Sequence, residues 1–195
     1  MKKLVAMMLT AAMVFSLTAC GGNEAAGAEN ESNVESSVVD ESTEAGDAAT
    51  GEAVIVAPEV EADTFGGKMW DAFLAEMKEN PDAAPIDVAN VLIANEAIQF
   101  MGGTVEMEPG WFMGFTNDVT GFAKAAQFGP MMTGVAFMGY IFTLEEGADV
   151  NAFITSLAGN ADPRWNICVE ADQTVIGAYD NTVFFLMCPI SNQAE

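Results

Sequence analysis

Three apolar runs at residues 165–171, 174–179 and 182–188 constrain this chain more than any other feature. They are separated by the dipeptides Asp172-Gln173 and Asp180-Asn181, and the second tolerates the positive φ of a tight hairpin. Placing Tyr179 opposite Thr182 sets Ala178 opposite Val183 and Ile176 opposite Phe185. Placing Ala171 opposite Thr174 sets Ile167 opposite Ala178 and Val169 opposite Ile176. One face then collects Trp165, Ile167, Val169, Ile176, Ala178, Val183, Phe185 and Met187. The other collects Cys168, Val175, Gly177, Tyr179, Phe184, Leu186 and Cys188. Both faces are apolar, so both call for cover, by a helix or by a partner. In this register Cys168 and Cys188 lie roughly 16 Å apart, from ~3.4 Å per residue and ~4.8 Å per strand, too far for a disulfide.

Upstream, Met69, Trp70, Phe73, Leu74 and Met77 recur at helical spacing and predict a helix over 68–80, with Thr64 a possible cap and Asn80-Pro81 the stop. A second helix follows Pro85 through Leu92 and Ala94. Strands are expected over 104–107 and 111–115 across the turn Glu108-Pro109-Gly110, and a short helix over 120–128. Residues 134–144, apolar on both faces, predict a central strand, followed by a helix from Val150 capped by Asp149. The expected class is α+β: an antiparallel sheet including a C-terminal three-stranded meander, packed against several short helices.

The N-terminal third has a different character. Met1-Lys2-Lys3 precedes a fourteen-residue apolar stretch at 4–17, interrupted only by Thr10 and Ser16. A bilayer span needs about 20 residues, so this length fits a signal peptide instead. The stretch ends in Leu17-Thr18-Ala19-Cys20, which resembles the lipobox of bacterial lipoproteins. The resemblance implies cleavage before Cys20, lipidation of its thiol (palmitate among the acyl chains), and a place on the extracytoplasmic face of the cell membrane. Residues 20–63 hold twelve acids and no base, with few aliphatics, and read as a disordered tether. Within it, Val54-Ile55-Val56 reads as a transient apolar cluster rather than a docked strand. The division is thus signal peptide 1–19, lipid-anchored tether 20–63 and one domain 64–195.

That domain carries 17 acids against 4 bases, a formal charge of −13. This charge argues against nucleic acid and anionic head groups as partners, because their phosphates need Lys and Arg. The chain has no histidine. Ser-His-Asp catalysis and His-ligated metal are therefore excluded, and no cofactor or metal is expected. Glu106, Glu108, Glu145, Glu146 and Asp149 show no calcium-loop spacing and read as solvated turn charges. The methionines of 107–115 and Met131-Met132 are soft enough for Cu(I), but they match no regular Met motif and read as core filler. Ser156 and Ser191 stand in no nucleophile pattern. Arg164, the one arginine, reads as a local ion pair. Trp111, Phe112 and Phe115 beside glycines, and Tyr179 on the second meander face, are the candidate ligand-binding residues, against core packing as the plainer account.

Two stretches, Tyr140 to Val150 (strand into helix) and Asp180 to Met187, are similar to those of a family of uncharacterised small lipoproteins of Gram-positive anaerobes. These share a lipobox signal, an acidic low-complexity tether and a C-terminal domain of unknown function. The resemblance implies an α+β domain at the cell envelope. The expectation is a surface-displayed binding or interaction module, whose partner is an envelope protein, a peptide or a cell-wall component. The alternative is an enzyme using carboxylates alone, such as a cell-envelope glycan hydrolase, which requires two carboxyls about 5–9.5 Å apart across a cleft.

Overall fold

In the computed structural model, residues 53–132, 134–166 and 168–191 are described. The signal peptide, Cys20 and the tether through residue 52 lie outside them. In chain order the elements are β1 (Ile55–Val56), α1 (Phe65–Glu79), α2 (Pro85–Ile93), β2 (Gly102–Met107), β3 (Lys124–Pro130), β4 (Met138–Thr143), α3 (Val150–Asn160), β5 (Gln173–Tyr179) and β6 (Thr182–Cys188). The strands form one six-stranded antiparallel sheet in the order β1-β5-β6-β4-β3-β2. The fold is α+β, with β4, β5 and β6 adjacent in the sheet.

The hairpin β5–β6 has the register expected from its turn, with Tyr179 opposite Thr182 and Ile176 opposite Phe185. Asp180 takes a left-handed φ of 50° in that turn. The two faces also separate as the alternation requires. Ala178, Val183, Phe185 and Met187 join one core cluster, and Val175, Phe184, Leu186 and Cys188 join another. The face carrying Tyr179 and Cys188 is covered by the chain's own α1 and α2, whose Trp70 and Phe73 rings sit 5.8 and 5.2 Å from Phe184. The opposite face is covered by α3, through Phe153 and Leu157, and by a loop bearing Phe112 and Phe115. Strand β6 is therefore buried at every residue.

Capping sets the helix starts. The Thr64 hydroxyl accepts the Gly67 N–H at 3.1 Å, so α1 begins three residues earlier than its apolar periodicity suggests. The Gly66 N–H donates to the Gln173 side chain at 3.3 Å, tying that first turn to β5. Asp149 caps α3 by accepting the Ala152 N–H at 2.9 Å.

Four local expectations are corrected. Among the described residues of 165–171 no strand forms: the Ala171 N–H donates to the Pro163 carbonyl and Val169 bridges to Asn166, both turn contacts. The outer neighbour of β5 is instead β1, with Ile55 opposite Tyr179 and Val56 opposite Ala178. The apolar island 54–56 thus docks as a strand, its Val54 N–H donating to Asp180 Oδ1 at 2.8 Å. Residues 124–130 form β3 rather than the end of a helix, because their backbone groups are taken by β2 and β4 on either side. Residues 111–115 form a loop whose only sheet-like contact is Phe115 with Ala161.

Candidate functional site

The loop between β2 and β3 is closed at its base by Gly110 and Val119, which exchange both backbone hydrogen bonds at 3.1 and 2.7 Å. Two aromatic side chains anchor it. Phe112 is fully buried, its ring 5.2 Å from Tyr140 and 5.8 Å from both Phe122 and Phe142. Phe115 packs 4.6 Å from Phe185. Between these anchors the chain turns at Gly114, where φ is +89° and a Cβ would lie 2.5 Å from Met187 Cε. Their neighbours Trp111 and Met113 point outward, and Trp111 is 65% exposed.

The segment after α3 supplies the facing wall. The Thr116 N–H donates to the Asn160 carbonyl at 2.9 Å, and the Asp162 N–H donates to the Gly114 carbonyl at 2.8 Å. From beneath, the buried Tyr140 hydroxyl donates to the Met113 carbonyl at 2.7 Å. Burial raises the pKa of that phenol well above its ordinary value, so it stays a donor at any physiological pH. The Asp162 carboxylate accepts the Arg164 N–H at 2.9 Å and begins the turn that presents Trp165.

The result is a groove of about 380 Å³ lined by Trp111, Met113, Gly114, Phe115, Asp162, Trp165 and Asn166. Its walls are indole and thioether, and its polar side chains are one carboxylate and one amide. A second hollow of about 400 Å³ shares Asn166 and is lined by Arg164, Cys168, Val169 and Glu170. There the Arg164 guanidinium pairs with Glu170 at 2.6 Å, the local ion pair expected for the one arginine.

Of the candidate binding residues, the structure brings Trp111 and Phe115 to one groove. Phe112 lies in the core beneath it, and Tyr179 sits on the opposite sheet face, half-buried against the α1 cluster. Sequence reasoning missed Met113, Asp162, Trp165 and Asn166. The available signal was Asp162-Pro163, a turn initiator immediately before Trp165.

Other polar groups are placed differently. Glu106 and Glu108 line a separate hollow of about 220 Å³ that also holds Lys124. Cys168 is exposed in the 166–169 turn, Cys188 is buried at the end of β6, and both are free. Burial, with the Asp172 charge adding to it, pushes the Cys188 thiol up to about 12. Among the described residues no group of three or more Cys, Asp or Glu is placed to hold a metal ion. Comparison of the chain with protein-family models, with curated proteins and with solved structures gives no match.

Proposed function

We propose that this chain is a lipid-anchored envelope protein whose folded part is a binding module, with the Trp111–Trp165 groove as its recognition surface. The observation that carries the reading is Trp111. An indole left 65% exposed forgoes burial that is worth about 1.5–3 kcal/mol for a large apolar side chain. Yet the loop presenting it is pinned by Tyr140, Phe112, Phe115 and the bonds to 160–162. Rigid presentation of a large aromatic side chain is what a binding surface requires, because little ordering entropy remains to be lost when a partner arrives.

The anchor rests on Leu17-Thr18-Ala19-Cys20 and the acidic stretch after it. Among the described residues no helix is long and apolar enough to cross a membrane. A carboxylate enzyme is the weaker reading: the aromatic groove offers Asp162 as its carboxylate, and Lys124 shares the hollow that holds Glu106 and Glu108.

Sedimentation with envelope fractions tests both parts. Full-length chain is expected in the membrane pellet and a chain lacking residues 1–20 in the soluble fraction; absence of palmitate label on the full-length chain, or equal label on Cys20→Ala, refutes the anchor. The soluble chain lacking residues 1–20 is then mixed with purified wall and membrane fractions. Retention that is unchanged by Trp111→Ala refutes the groove as the recognition surface.

A further inference from the structure

We propose that the groove takes an organic cation, specifically an alkylated ammonium group. The inference rests on the groove being the recognition surface and adds the chemistry of what it recognises.

The walls come first. Two indoles and a thioether line the groove. An indole face carries the negative side of its quadrupole, so it attracts a cation as well as offering dispersion contact to methyl groups. The local charge points the same way. Asp162, Arg164 and Glu170 follow one another along the two adjoining hollows. Arg164 makes its direct ion pair with Glu170 at 2.6 Å, and Asp162 lies within electrostatic reach of the same guanidinium, so two carboxylates share one cation. Around it, 17 acids against 4 bases give the 64–195 segment a formal charge of −13, which concentrates cations at its surface and repels anions.

The side-chain oxygens of the groove are partly engaged within the chain. Asp162 Oδ1 already accepts the Arg164 N–H, and Asn166 Oδ1 accepts the Cys168 N–H at 3.4 Å. An alkylated ammonium needs aromatic faces, a nearby carboxylate and room rather than directional hydrogen bonds, and about 380 Å³ lies within the range of small-ligand pockets.

The test is a fluorescence titration of the full-length chain at low ionic strength. Choline chloride is compared with 3,3-dimethylbutan-1-ol, its uncharged carbon isostere, and with sodium chloride at matched ionic strength. Trp70 is buried in the α1 cluster, so the change reports on Trp111 and Trp165. Choline is expected to give a saturable change, with the isostere at least about tenfold weaker. Asp162→Asn keeps an oxygen to accept the Arg164 N–H while removing the charge. It is expected to weaken choline at least about fivefold and to leave the isostere unchanged. Equal midpoints for choline and the isostere, no saturation with choline, or an unaltered midpoint in Asp162→Asn overturns the proposal. If envelope retention depends on Trp111 while choline and the isostere are not distinguished, the cation assignment alone is overturned. If retention is indifferent to Trp111, the recognition reading falls on its own.

Discussion

The Tyr140 hydroxyl donates to the Met113 carbonyl at 2.7 Å, joining the buried centre of β4 to the loop that presents Trp111. The bond spans the boundary between sheet and groove. Tyr140→Phe keeps the ring contacts with Phe112 and Phe115 but leaves that carbonyl without its donor. It is expected to cost about 1 kcal/mol in urea unfolding and to shift the emission of the native state. An unchanged unfolding midpoint would show that the loop holds without this bond.

Adjacent aromatics should differ sharply. Phe112→Ala removes a fully buried ring and is expected to cost about 3–5 kcal/mol. Trp111→Ala removes an exposed one and should change stability by no more than about 0.5 kcal/mol. Denaturant titration of both variants checks the assignment of anchor and presenter.

Gly114 and Gly110 separate backbone strain from collision. Both have positive φ, +89° and +151°, but a Cβ meets Met187 at Gly114 and nothing within 4 Å at Gly110. Gly114→Ala should therefore destabilise by up to about 1 kcal/mol more than Gly110→Ala, the low end of overpacking costs, since only the flexible end of Met187 has to shift. Equal losses in thermal unfolding would contradict the close approach of Met187.

Strand β1 is held to the hairpin turn by Asp180, whose Oδ1 accepts the Val54 N–H and whose own N–H donates to the Val54 carbonyl at 2.7 Å. Asp180→Gly retains the left-handed turn and deletes the side-chain acceptor. Hydrogen exchange at Val54 should speed up while exchange in β6 stays slow, since the opening is local. Uniform acceleration across both strands would refute an independent β1.

Cys188 gives a pH dependence with a definite sign. Its folded pKa, pushed up to about 12, lies above its unfolded value, so the stabilisation is complete below roughly 8.5. Above that pH the unfolded chain loses the proton while the folded one keeps it. Stability should therefore fall between roughly 8.5 and about 12. Chemical unfolding across that range should show the fall, flattened in Cys188→Ala. In the native state Cys168 should react with a maleimide and Cys188 only after unfolding.

How much was legible follows from the local devices. The alternation in β5 and β6, with Asp180 set for positive φ, carries enough information to set pairing and face. Asp149 and Thr64 mark helix starts by their side-chain oxygens. Ala125, Ala126 and Phe128 satisfy helix and strand spacing alike, so β3 exists because β2 and β4 take its hydrogen bonds. Residues 165–171 alternate as well as any strand. Asp162 and Asn166, however, draw their backbone into turns, and the Tyr179 end of β5 is occupied by β1.

By itself the sequence determined the class of fold, the hairpin register, the two apolar faces and a strongly acidic charge. All of these depend on spacing and side-chain type along a short stretch of chain. Only the tertiary structure decided what covers each face, and which of Trp111, Phe112 and Phe115 points outward. It also brought Asp162 and Trp165 beside Trp111 across some fifty residues of chain. Those outcomes depend on long-range backbone bonds, Asp162 to Gly114 and Thr116 to Asn160, and on the Met187 methyl beneath Gly114. No local pattern encodes such contacts.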